Sequence, residues 1–294
     1  QPRQTVGFGP SAKNTPPVDQ LALLREATDH EALYTLAGGL KPMSSGFWQC
    51  SFEVDDPDLR ALHQVREMLD VLRNDVWYAD VQVFEKIYDG ERNAHAFVVH
   101  RKSLERMIDR HESFWSSWDI TPETQPSQIV EIVDRMPRDD RWRGYGYLYG
   151  YPDEAVDFFV EAGIAADDNR EMGPGKDREF MQIPTYAAES GRFTYAVPLG
   201  HVPTPVDQAL KEGAVLILRA YEERRSQIHN LDGMVEMIRQ LNKQFENLPV
   251  DMRTPAPSPV VSHASSKQRF ELIRMLHPSY FMDIEIAEYA DRIP

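Results

Sequence analysis

The stretch RGYGYLYGYPDEAVDFFVEAG, residues 143–163, decides how the second half of this 294-residue chain is read. Tyr145, Tyr147 and Tyr149 alternate with Gly144, Gly146 and Leu148, the period of two that marks a β-strand. Pro152 then opens an amphipathic segment that Gly163 closes, so 144–151 reads as a strand running into a helix. Two further strands are expected over 179–189 and 192–199, joined by Ser190-Gly191, before Thr204-Pro205 caps a long helix.

The first half shows the same order. A helix over 19–37, broken near Asp29, stops at Gly38-Gly39. Strand signal runs over 47–54, where Trp48, Cys50, Phe52 and Val54 alternate with polar residues, and Asp56-Pro57 starts the next helix. Strands over 79–88 and 91–100 flank Asp89-Gly90, a strong two-residue hairpin signal. Ser103 is expected to cap a helix reaching Trp118, and QIVEIVDRM suits either strand or helix. Gly90 precedes His100 by ten residues, as Gly191 precedes His201. These features predict an α+β fold of two tandem ferredoxin-like (βαββα) units with antiparallel sheets and N- and C-terminal helical extensions.

The expected segments are an arm over 1–18, a helical segment over 19–46, units over 47–138 and 139–229, and C-terminal helices over 230–294. A Pro-rich linker is placed at 249–264, and Ser265 with Gln268 caps a last helix. Ile228, Leu231, Val235, Ile238, Asn242 and Phe245 form an apolar seam expected to pack back on the body.

The first four positions of RGYGYLYGY resemble the strand of the RNA-recognition motif, and the helix after it is similar too. The resemblance implies an α+β sheet. Gly150 stands where an aromatic ring would stack, and a formal charge of −15 repels phosphate backbones, so no nucleic-acid partner is expected. The apolar runs are far short of a membrane span.

Candidate chemistry gathers at the first hairpin. Val81, Val83 and Ile87 share a face with Ala96 and Val98, while Asp80, Gln82, Phe84, His95 and Phe97 share the other. Helices on one side of each sheet would leave this mixed face free, furnished as ligand pockets are. Tyr145, Tyr147 and Tyr149 form a second candidate platform. His100 and His201 are expected to fix strand-to-helix corners, and His111 to sit in a helical core stripe.

HEALY and HESFW lack the second histidine of a zinc-protease helix, GPGKD is no P-loop, and DDNREM has Met where a calcium loop needs Gly. No metal site is expected, and no cofactor is assigned. The single cysteine forms no intrachain disulfide and is expected buried.

The reading is a protein that binds a small molecule on or between its sheets. The alternatives are an enzyme, such as an oxidoreductase, using the same face, with His95 and Asp80 or Glu53 exchanging protons, and an interaction protein acting through its C-terminal helices or forming a homo-oligomer. An extended start behind a removed leader points to export, periplasmic or extracellular, with the cytoplasm as the alternative.

Overall fold

The computed structural model describes residues 19–168, 178–188 and 193–248. The arm over 1–18, the Ser190-Gly191 turn, the linker and the last helix expected beyond it lie outside these residues.

Asp19 accepts a hydrogen bond from the Ala22 amide (2.9 Å) and opens α1, Gln20–Asp29. After a break comes α2, Leu33–Leu36, so the expected helix forms in two pieces ahead of Gly38-Gly39. Three strands follow: β1, Met43–Glu53; β2, Trp77–Tyr88; and β3, Glu91–His100. Their order is β1-β3-β2, antiparallel at both seams, so β1 and β2 run parallel at the two edges. The chain crosses between them through α3, Arg60–Met68, and a 3-10 turn, Leu69–Leu72, giving a split β-α-β arrangement. Asp89 and Gly90 both have positive φ, 50° and 83°, as a two-residue hairpin of primed type requires.

The helix α3 begins later than Asp56-Pro57 suggests, because Asp58 is the residue that bonds the Arg60 amide (3.2 Å). Beyond the sheet, α4 (Arg101–Arg110) is capped by His100, whose Nδ1 accepts from the Ser103 amide (3.2 Å), and not by Ser103. The helix stops at His111, and α5 (Glu112–Ser116) follows as a separate turn. QIVEIVDRM lies in α6, Pro126–Arg135, and supplies no fourth strand.

The decisive stretch is helical. α7 spans Arg138–Leu148 where a strand over 144–151 was expected. Its glycines serve helix packing: a Cβ on Gly144 would lie 3.1 Å from Val133 of α6, and one on Gly146 would lie 2.7 Å from Val156 of α8, Asp153–Asp168. Tyr145 and Tyr149 are thus successive-turn neighbours, stacked at 5.8 Å. Gly163 does not end α8; it makes room for the Trp142 ring within the helix. The first strand of a second βαββα unit is therefore absent. The second half keeps a two-stranded antiparallel sheet, β4 (Arg178–Ile183) with β5 (Phe193–Pro198), followed by α9, Pro205–Arg225, and α10, Leu231–Phe245.

Both faces of the three-stranded sheet are covered, which corrects the expected free face. On one side Trp48, Cys50, Phe52, Val81, Ala96 and Val98 join a core built with α1–α3, β4–β5, α9 and α10. On the other, Phe97 and Val99, with Tyr78 and Phe84 beside them, pack under side chains of α4–α8. The apolar seam of α10 packs back on the body as its spacing suggests, burying Met234, Val235, Ile238, Leu241 and Phe245.

The corner histidines act as anchors. His100 caps α4, and His201 Nε2 meets Asp207 Oδ2 at 2.8 Å ahead of α9. Asp207 also accepts from the Tyr195 hydroxyl (2.6 Å) and closes a capping box with Thr204. Burial pushes the Asp207 carboxyl up, but the bonds from Tyr195, His201 and Thr204 outweigh it and hold it below its ordinary value. At the opposite side, Asp29 of α1 takes a two-pronged bond from Arg225 of α9 (2.7 and 2.8 Å), and Arg25 donates to the Ile228 carbonyl (2.8 Å).

Candidate functional site

The hairpin residues singled out from the sequence lie together, inside the packing beneath α6 and α7. Asp80 accepts from Arg66 Nε (2.7 Å) and Tyr78 Oη (3.0 Å), with Arg73 at 3.2 Å, so its charge is matched. Gln82 donates to the Tyr145 hydroxyl (2.7 Å), which ties β2 to α7 and joins the hairpin set to the tyrosine set. Phe84 meets the His95 ring edge-on at 4.7 Å, and Phe97 is buried against Tyr78. Burial pushes the His95 imidazole down to about 4, so it is neutral at neutral pH.

The tyrosines part company. Tyr145 stays with the sheet, Tyr149 leans toward Lys41, and Tyr147 turns outward to stack flat on His111 (3.8 Å, 9° between planes). That divergence leads to a cavity.

Two glycine-marked segments meet there. Gly38 and Gly39 both lie at positive φ, and the chain then turns back through Leu40, Lys41 and Pro42. A Cβ on Gly39 would sit 2.3 Å from Ser103 Oγ and 2.5 Å from His100 Nδ1, so only glycine lets this backbone reach α4. From the other side, α7 ends in a Schellman motif: Gly150 at φ 71°, its amide bonded to the Tyr147 carbonyl (3.0 Å) and the Tyr151 amide to that of Gly146 (3.1 Å). A Cβ on Gly150 would lie 2.8 Å from Pro42.

Behind this junction the Lys41 side chain is wholly buried. Its ammonium is 2.5 Å from Glu31 and lies 4.3 Å over the Phe193 ring. Burial lowers the lysine's pKa and Glu31 opposes the shift, an arrangement that fixes the turn and keeps the charge from solvent.

The cavity between the two segments has a volume of about 200 Å³. Its backbone walls are Gly38, Gly39 and Gly150, and its apolar walls Leu40, Met107, Ile217 and Leu248. Polar groups converge from three directions: Ser103, Arg106, Arg110 and His111 at α4, Tyr147 and Asp153 at the α7–α8 corner, and Glu246 after α10. His111 Nε2 lies 3.3 Å from Asp153 Oδ1. Arg106 donates to Ser103 Oγ (2.9 Å), which in turn donates to the Gly39 carbonyl (2.7 Å). A larger depression of about 660 Å³ beside Trp118 and α6 is more open to solvent, and its charged lining is mainly acidic: Asp119, Glu123 and Glu131 with Arg135.

Ser103, His100 and Asn242 are arranged in the order of a nucleophile, a base and an orienting amide. Their bonding serves structure instead. His100 Nδ1 receives the Ser103 amide, the hydroxyl of Ser103 points to Gly39, and Asn242 Oδ1 accepts from the Gly38 amide (3.1 Å). Burial, reinforced by Arg106, pushes His100 down to about 4, which makes it a weak base. The bonds of Ser103 and His100 thus hold α4 to the glycine turn at the rim of the cavity.

Among the described residues no three His, Cys, Asp or Glu side chains gather to hold a metal ion, and no helix is long and apolar enough to cross a membrane. Comparison of the chain with models of protein families, with curated proteins and with solved structures finds no match.

Sequence reasoning missed Arg106, Arg110, Asp153 and the glycine turn as site residues. The signals were present: Gly38-Gly39 passed as a helix stop, and Arg106 and Arg110 stand four residues apart on the helix expected after Ser103.

Proposed function

We propose that this chain binds a small molecule in the cavity between the Gly38–Pro42 turn, α4 and the α7–α8 corner. The observation that carries the reading is the convergence of guanidinium, imidazole–carboxylate and main-chain groups on one apolar-walled space. Of the residues picked from the sequence, Tyr147 lines this space. Gln82 and Tyr145 hold α7 against the sheet from behind, and Asp80, Phe84, His95 and Phe97 pack the layer beneath. A volume below the roughly 300–1,000 Å³ of drug-sized sites selects a small metabolite over a nucleotide or a tetrapyrrole.

The test is a thermal-shift screen of metabolites on the wild-type chain and on Met107→Phe, which fills the apolar wall. Melting of the ligand-free variant serves as the folding control, and native mass spectrometry detects molecules retained through purification. Compounds that raise the wild-type melting temperature should lose most of that effect in the filled variant. Equal stabilisation of both proteins would put the binding site elsewhere.

A further inference from the structure

We infer that the molecule held in this cavity is an organic monocarboxylate with an apolar body. The inference rests on the cavity being a binding site.

Arg106 and Arg110 stand one turn apart on α4, so both guanidinium groups reach the same space. No ion pair joins either of them to a described carboxylate, in a chain whose formal charge is −15. Two arginines without acidic partners among the described residues, side by side at a cavity in so acidic a protein, form a local site for an anion. Arg106 is also pre-aimed. One of its nitrogens is fixed on Ser103 Oγ, itself buried and bonded to Gly39, which leaves the rest of the planar fork for a ligand. A fork of that kind matches the two oxygens of a carboxylate.

The remaining walls limit the charge and set the body. Asp153, beside His111, and Glu246 also line the space, so a second negative charge on the ligand would meet them. That disfavours phosphate dianions and dicarboxylates. Leu40, Met107, Ile217 and Leu248 add apolar area to the same space, suited to a ring or branched chain. A space of about 200 Å³, at about 30 Å³ per water, equals roughly seven waters, the bulk of a small organic acid.

The experiment uses fluorine NMR on the full chain with three probes of one shape: 4-fluorobenzoate, 4-fluorobenzyl alcohol and 4-fluorobenzylamine. Inorganic phosphate is added as a competitor, and Arg106→Gln/Arg110→Gln and Glu246→Gln are compared with wild type. Because both arginines are exposed, unchanged melting of the double variant is expected and checks its fold. Benzoate should bind at least tenfold more tightly than the alcohol, lose at least tenfold in the arginine double variant, and be held as tightly or more tightly by Glu246→Gln. Phosphate should displace it only weakly. Equal binding of benzoate and alcohol, insensitive to the arginines but lost in Met107→Phe, would overturn the carboxylate inference and leave the cavity reading standing. Preference for the amine, strong displacement by phosphate, or no binding of benzoate would also overturn it. A probe that binds Met107→Phe as well as wild type would instead count against the cavity itself.

Discussion

Lys41 is the most completely buried charge among the described residues, and its ammonium meets Glu31 at 2.5 Å. The pair stands at the centre of the turn that shapes the cavity. Two charges taken from water together are tolerated because each answers the other, and removing one strands its partner. Glu31→Gln should therefore cost about 3–5 kcal/mol in urea unfolding, while Lys41→Met combined with Glu31→Leu should recover most of that loss. A single variant within about 1 kcal/mol of wild type would show that the pair is not coupled.

The two glycines of α7 make a graded prediction. Alanine is intrinsically better than glycine in a helix by about 1 kcal/mol. At Gly144 the new methyl would meet Val133 at 3.1 Å, so gain and crowding nearly cancel. At Gly146 it would lie 2.7 Å from Val156, whose β-branched side chain has little room to turn away. Gly146→Ala should thus lose about 1–3 kcal/mol, and adding Val156→Ala should relieve the clash. Equal effects at the two positions would argue against the helix–helix contact.

Acid should weaken the fold through its buried histidines. His100 and His95 are held at about 4 by burial, Arg106 adding to the effect at His100. In the unfolded chain they take up protons near 6.5. The folded state therefore binds fewer protons between these values, so their stability contribution is complete above about pH 6.5 and is lost as pH falls toward 4. For His100 the loss is about 3 kcal/mol. Urea unfolding at pH 7 and 4.5 should show the decline, and His95→Gln should show a smaller one. Identical declines in the two proteins would remove His95 from the account.

Cys50 should be nearly inert in the native state. It lies on the core side of β1, opposite Ala94, and burial pushes its thiol up to about 11. Labelling by a thiol reagent at pH 8 should be slow until denaturant unfolds the chain. Prompt labelling of native protein would mean that the strand faces the other way.

The elements with local signatures were legible in the sequence. Asp89-Gly90 dictated its hairpin, Thr204-Pro205 with Asp207 its capping box, and the alternation around Cys50 its strand facing. The tyrosine stretch misled because residues alternating over 144–149 also fall on successive helical turns when glycines separate the rings. Gly144 and Gly146 read as the second face of a strand, though each answers a valine on a neighbouring helix that local pattern does not reveal. The corrective signal was at its end: Gly150 followed by Pro152 is the stop of a helix, not of a strand. Much of the candidate site was illegible for a related reason. Gly39, Arg110, Asp153 and Glu246 are distant in sequence and meet only once α4, α8 and α10 have packed.

The bond from Arg225 to Asp29 spans 196 residues. On the ribosome, at about 5–20 residues per second, the partner of α1 emerges roughly 10–40 s after α1 itself. Throughout that interval Leu23, Leu24 and Ala27, fully covered in the finished protein, lack the α10 side of their packing. The nascent chain thus carries a helix whose apolar face awaits its cover, which makes α1 a natural hold for a chaperone. Any messenger truncated before α9 should yield a product that aggregates or is degraded, however well its central sheet can form.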